Sequence, residues 1–262
     1  MNIIDFHTHI YPKPVAQKAV QSVSSFYQIK IDRKGTPEAL LADGVRAGIH
    51  QFVVHSVAIA PKHVKNINNF IAETCQEHPE FIGFGTLHAE MEDPNTEIER
   101  ILTLGLHGIK LHPDTQLFNL DDPKAMAIFE RLEGRLPVLI HCGDYRYTYS
   151  HPARLAKVLD AFPKLTVIAA HFGGWSLQDL ALEYLEHRNC YLDTSSSMMY
   201  LGNRRSAELI RAYGAERFLF GSDFPMWSPT DELERFLALG LTSAENRLIL
   251  QDNAIKILNH TH

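Results

Sequence analysis

Eight short apolar runs alternate along the chain with longer stretches in which apolar residues recur at helical spacing. The runs are NIIDF at 2–6, HQFVVHSVAI at 50–59, FIGFGTL at 81–87, HGIKL at 107–111, PVLIH at 137–141, LTVIAAH at 165–171, CYLDT at 190–194 and RFLFGSD at 217–223. Most are rich in Val, Ile, Leu and Phe, as strands buried on both faces are. Between them lie TPEALLADGVRAG, PKHVKNINNFIAETCQEHP, DPNTEIERILTLG, DPKAMAIFERLEG, SHPARLAKVLDAF and NRRSAELIRAYG. Several of these open on Thr, Ser or Asp followed closely by Pro and close on Gly or Pro, the signatures of helix ends.

Eight strand–helix units predict an α/β fold, a closed (β/α)8 (TIM) barrel, better than a doubly wound sheet. No glycine-rich dinucleotide fingerprint follows the first strand, where HTHIYP stands instead. No flexible linker or repeat divides the chain, so residues 1–262 are expected to form a single domain. Segment 11–36 is expected to be a long loop carrying an extra helix over the site, and the final NHTH to be frayed.

Composition narrows the function classes. An apolar fraction of 45% and a charged fraction of 21% supply a substantial core. The formal charge of -6, with no extended Lys/Arg run, argues against nucleic acid as a partner. Cys75, Cys142 and Cys190 are odd in number and widely spaced, which predicts free thiols in a reducing compartment. The first residues have neither a basic nor an apolar leader region, and no run approaches the roughly 18 apolar residues of a membrane span. A cytoplasmic protein acting on a small molecule is expected, with no membrane partner, and a homo-oligomer is compatible with this. The unusual feature is 15 histidines, the side chain most used as metal ligand and general base.

In such a barrel the carboxyl ends of all strands face one mouth, where chemistry is placed. The first strand ends Asp5-Phe6-His7-Thr8-His9, and residues two apart share a face, so His7 and His9 can meet one cation. The fifth strand ends at His141, the sixth at His171 and the eighth at Asp223. One His-x-His pair alone is more often a turn or a satisfied core feature. Ligand types at four separate strand ends point to a divalent ion. Imidazole and carboxylate donors suit zinc first, with manganese and iron as alternatives.

Other positions carry two readings each. Asp5 is a partner of a metal ligand or a strand-end hydrogen-bond acceptor. Lys110 and His112 alternate by two on the fourth strand, which makes His112 a candidate substrate contact or reserve ligand. In CGDYRYTYSHPARL, Arg146 and the tyrosines, Tyr149 among them, are candidates to bind a substrate carboxylate. Alternatively the tyrosines pack that loop and Ser150 caps the helix beginning near Pro152. His55 and His88 read as packing or hydrogen-bonding residues, and Trp175 and Trp227 as pocket walls or helix-packing rings. Gly173-Gly174 reads as a sharp turn, and Cys142 as facing the layer between barrel and helices.

Together DFHTH, GIKLHP, LIHCGD, IAAHFGG and GSDFP resemble the amidohydrolase superfamily across nearly the whole chain. Within it they resemble the amidohydrolase-related (amidohydrolase 2) group, which includes amino-carboxymuconate-semialdehyde and resorcylate decarboxylases. The resemblance implies that His7, His9, His141 and Asp223 hold a divalent ion, with His171 beside the bound water. His171 and Asp223 are then the catalytic pair, Asp223 moving the proton and His171 hydrogen-bonding the oxygen that bears charge. Lys110 stands where some members carry a carboxylated lysine bridging two ions, although one ion is expected rather than two. The implied activity is a hydrolase attacking an amide, ester or lactone carbonyl with activated water. The alternative is a non-oxidative decarboxylase of an aromatic or unsaturated carboxylate.

Overall fold

The computed structural model describes residues 2–259; the part of the tail expected to fray, from residue 260 on, lies outside them. Every one of the eight apolar runs overlaps a strand: β1 (Ile3–His9), β2 (Ile49–His55), β3 (Phe81–Thr86), β4 (Gly108–Leu111), β5 (Val138–Ile140), β6 (Val167–Ala169), β7 (Tyr191–Asp193) and β8 (Phe218–Leu219). They form one sheet in sequence order, each pair parallel. The chain after β8 closes it onto β1 through Phe6 N–H to Phe220 O at 2.8 Å, Asp223 N–H to His7 O at 2.8 Å and His9 N–H to Phe224 O at 2.7 Å. The architecture is a (β/α)8 barrel.

The helices are α1 (Lys13–Tyr27), α2 (Pro37–Arg46), α3 (Val64–Glu77), α4 (Pro94–Thr103), α5 (Pro113–Gln116) and α6 (Pro123–Leu132). They continue as α7 (Pro152–Ala161), α8 (Gln178–Leu185), α9 (Met198–Tyr213), α10 (Pro229–Leu237), α11 (Ser243–Arg247) and α12 (Asn253–Leu258). Thr36 and Asp93 cap α2 and α4 by accepting from the N–H three residues on. Left-handed Gly202 (φ 70°) interrupts α9, so the regular helix resumes at 203, where the sequence pattern begins it.

Strand alternation sorts the apolar residues into two layers. Val53, Phe84, Leu139, Ile168 and Leu219 fill the barrel with Ile4 and Phe6, and Ala254 and Ile257 of α12 join this cluster. Their neighbours Phe52, Val54, Val138, Ile140, Cys142 and Val167 pack outward under the helices. Cys142 therefore lies in the outer layer, as alternation requires.

The strands differ from the apolar runs at their ends. β1 runs to His9, three residues past its apolar stretch, because Asp5 to Thr8 pairs with Phe52 to Val54 through a shifted register. That bulge lets consecutive Phe6 and His7 both turn inward, the first onto Phe84 and the second into the mouth. β2 stops at His55 and β8 after two residues. Four non-glycine residues with left-handed φ sit at strand ends around the mouth: His171 (61°), Phe172 (56°), Ser196 (54°) and Asp223 (60°). Held strain of this kind clusters where side-chain direction matters more than local stability. Among the described residues, no helix is long and apolar enough to cross a membrane.

Candidate metal centre

His7 is wholly buried and its orientation is fixed from behind. Its Nδ1 lies 2.7 Å from Asp193 Oδ2 at the end of β7, leaving Nε2 directed at the mouth, 3.4 Å from Asp223 Oδ1. His9 Nε2 also stands 3.4 Å from Asp223 Oδ1, so one carboxylate oxygen faces both imidazoles. The other oxygen of Asp223 accepts from Ser196 Oγ at 2.5 Å, and that hydroxyl accepts from Trp227 Nε1 at 2.8 Å. Trp227 thus forms a wall tied to the site.

Burial drives His7 down to about 4, with the Lys110 ammonium adding to the effect, and it lowers His9 and His171 as well. Neutral rings keep a lone pair for a cation. Burial alone would raise the carboxyls of Asp193 and Asp223; the neighbouring imidazoles outweigh it and hold both below the ordinary carboxylate range. The mouth therefore presents neutral imidazoles and ionised carboxylates.

Asp193 is the partner that strand-end reasoning passed over, although CYLDT places a carboxylate at the end of the seventh run. Besides His7 it accepts from the backbone N–H of His171 and of Ser195, each at 3.0 Å, and from Ser195 Oγ at 2.5 Å. A carboxylate on the far nitrogen of a ligand imidazole fixes its tautomer and raises its basicity. Asp193→Asn is expected to weaken divalent-ion affinity about 10–100-fold; equilibrium dialysis giving wild-type affinity would reduce Asp193 to a role in the fold.

His141 takes a different neighbourhood from the one expected. Its ring stacks on His112, centroids 3.9 Å apart and 8° from parallel. Its Nδ1 lies 3.0 Å from His171 Nε2, and its Nε2 3.4 Å from Asp114 Oδ2. His171 connects this group to His7, Asp223 and Ser195, whose Oγ is 2.9 Å from His171 Nδ1. His112 shares the inward face with Lys110 and meets the Tyr27 hydroxyl of α1 at 2.7 Å. The extra helix expected in segment 11–36 therefore does reach the site.

Lys110 is 1% exposed, and burial lowers it to about 8 against the pull of Asp223 and Asp193. Its Nζ stands 3.0 Å from His7 Nε2, so its partner is an imidazole rather than the acidic neighbour a buried ammonium usually finds. Asp5 accepts from Ser222 N–H at 2.9 Å and His7 N–H at 3.2 Å, a strand-end role across the barrel seam; burial raises it to about 7.

The loop after β5 departs from expectation. Arg146 is paired side-on with Asp144, Nε to Oδ1 at 2.9 Å and Nη2 to Oδ2 at 2.6 Å, while Nη1 donates to Phe26 O at 2.6 Å. Its guanidinium lies among the rings of Phe26, Tyr27, Tyr147 and Trp175. An internal carboxylate thus holds the face expected to meet substrate, and the arginine ties α1 to the loop. Tyr149 stacks on Tyr147 at 6.3 Å. Ser150 does not cap α7; His151 Nδ1 accepts from Ala153 N–H at 3.2 Å, and Ser150 Oγ donates to Asp114 Oδ2 at 2.6 Å. Gly143 and Gly174 meet so closely that a Cβ on Gly143 would stand 2.4 Å from the Gly174 Cα, a sharp turn with no room for side chains.

Three overlapping groups of ligand atoms lie within 4.8 Å of one another: His7, His9 and His55; His7, His171 and Asp223; His112, Asp114 and His141. They are almost entirely buried, and both ring nitrogens of His55 and the Nε2 of His141 make no hydrogen bond. Buried polar atoms left open beside ionised carboxylates fit a divalent ion.

Over 70 residues the chain is 40% identical to 2-amino-3-carboxymuconate-6-semialdehyde decarboxylase of Dictyostelium discoideum, a match covering 26% of this chain and 20% of that relative. A dihydroxybenzoic acid decarboxylase from Polaromonas sp. JS666, solved with manganese and the inhibitor 2-nitroresorcinol, superposes with a TM-score of 0.78 at 18% identity, covering 100% of this chain and 98% of that one. A candidate 2-pyrone-4,6-dicarboxylic acid hydrolase from Pseudomonas putida superposes at 0.70 with 19% identity, covering 100% and 98%. At these identities the structures establish the shared barrel. A family model described as amidohydrolase matches residues 4–259, and so the chain belongs to the amidohydrolase family of metal-dependent barrel enzymes.

Proposed function

We propose that this protein is a metal-dependent decarboxylase of a small aromatic or unsaturated carboxylate. The observation that carries the proposal is the arrangement of Asp223. One of its oxygens faces His7 and His9 in a buried mouth that aromatic rings border: Trp227 is tied to Asp223 through Ser196, and Tyr27, packed on Trp175, lies against His141. Planar rings flanking a polar floor suit a flat, conjugated substrate. The similarity to a carboxymuconate-semialdehyde decarboxylase and to a dihydroxybenzoic acid decarboxylase supports the same class.

His7, His9 and Asp223 would hold the ion, with His141 drawn in as the family resemblance implies. Zinc, manganese and iron all suit these donors, and manganese in the Polaromonas structure favours it among them. Such an ion polarises a carboxylate or carbonyl oxygen and acidifies a bound hydroxyl.

Asp223 moves the proton. Ionised in the resting site, it takes the proton of a substrate hydroxyl at Oδ1 while Oδ2 stays on Ser196. As the bond to the carboxylate carbon breaks and carbon dioxide leaves, the electron pair remains on the ring carbon and accepts that proton. Lys110 brings positive charge into the mouth for the substrate carboxylate, a task for which Arg146 is already bound to Asp144. One ion is proposed, with Lys110 acting as an unmodified ammonium.

Hydrolysis of a lactone is the second reading. It uses the same proton path with water as the hydroxyl, and it is favoured by the similarity to a candidate pyrone dicarboxylate hydrolase. A panel of hydroxybenzoates, unsaturated dicarboxylates and pyrone carboxylates, given to protein loaded with manganese or zinc, separates them. Release of carbon dioxide is expected; ring opening without it would assign the enzyme to the hydrolases.

A further inference from the structure

We propose that His55, at the end of β2, is itself a donor to the ion held by His7 and His9. This rests on the metal-centre reading above and adds a ligand from a strand that the resemblance leaves without one.

Register places it there. His55 is the pairing partner of His9 across the β1–β2 ladder, and adjacent partners in parallel strands carry their side chains on one face. The His55 and His9 rings meet edge to face with centroids 4.4 Å apart, and His7 lies at 5.1 Å. One nitrogen from each of the three falls within a 4.8 Å group. Bonds of about 2.0–2.1 Å at a tetrahedral angle would put two nitrogens about 3.3–3.4 Å apart, inside the 4.8 Å span of this group.

The hydrogen-bond pattern marks His55 out. Among the described residues it is the one buried histidine with no hydrogen bond, and it is 0% exposed. His88 and His112 accept from backbone N–H groups, His7 meets Asp193, and His141 meets His171. Buried imidazole nitrogens are almost always satisfied. Two of them left open on one ring beside a ligand pair are what an ion or its bound oxygen would fill. The alternative, that His55 is a packing residue, leaves both nitrogens desolvated with nothing in return.

Cobalt(II) is a suitable probe because its visible absorption reports donor number and type. Wild type, His55→Gln and His88→Gln would be titrated with cobalt(II), with folding checked by circular dichroism. His55→Gln is expected to weaken binding at least tenfold and to change the cobalt spectrum, while His88→Gln changes neither. Identical affinity and spectrum in His55→Gln would overturn the proposal. Should that variant not fold, cadmium-113 added to wild-type protein with nitrogen-15 histidine, its imidazole resonances assigned residue by residue, gives the same answer: cadmium splitting of the His55 resonance supports the ligand, and splitting confined to other histidines overturns it. Wild type that takes up no cobalt would instead remove the metal centre itself, and His55 with it.

Discussion

His9→Ala is expected to bind its divalent ion at least a hundredfold more weakly than wild type and to lose turnover in proportion at limiting metal. His9 is the ligand to test because it has the fewest other duties. Its Nε2 faces Asp223 at 3.4 Å, and its ring packs on those of His7 and His55. His7, by contrast, is bound to Asp193 and Lys110, so removing it would disturb both. A four-donor zinc site is worth about 10–16 kcal/mol. One donor of four then represents roughly 3 kcal/mol, about two powers of ten in affinity. The melting temperature of the metal-free protein should change little, while the stabilisation that added metal confers on wild type should largely disappear. Metal content and turnover equal to wild type after dialysis would place the ion elsewhere.

The barrel was legible because its strands are buried on both faces and so read as uninterrupted apolar runs. The same rule, extended to the polar residues at the carboxyl end of each run, brought His7, His9, His141, His171 and Asp223 into one mouth. Asp193 obeyed it equally; its position just before a threonine and three consecutive serines gives the look of a turn rather than a ligand shell. Arg146 and Asp144 were two residues apart and opposite in charge, a local pair visible in the sequence that outcompetes a substrate carboxylate for the guanidinium. Other contacts had no local signal. Asp114 meets Ser150 across 36 residues, and Tyr27 meets His112 across 85; loops rising from different strands converge only after the barrel closes. The bulge at Phe6 and His7 is likewise a property of pairing, since nothing in DFHTH alone says that two consecutive side chains turn inward.

Asp223→Asn is expected to reduce kcat about 10²–10⁴-fold at saturating metal, the usual worth of a positioned proton-transfer group. Asparagine keeps the shape of the side chain and can still accept from Ser196, whose own link to Trp227 holds that wall. What it loses is the ability to take a proton at the oxygen facing His7 and His9. The His7 and His171 rings and the His9 hydrogen bond keep the wild-type carboxyl ionised well below neutral pH, so the resting residue is a base and the amide cannot replace it. Removing the negative charge also weakens the ion's hold, which is why the comparison requires saturating metal. KM is expected to change far less than kcat, because the aromatic walls and Lys110, the proposed substrate contacts, are left in place. A fall in kcat under tenfold, with metal confirmed bound, would move the proton path away from Asp223 and leave His171 as the next group to test.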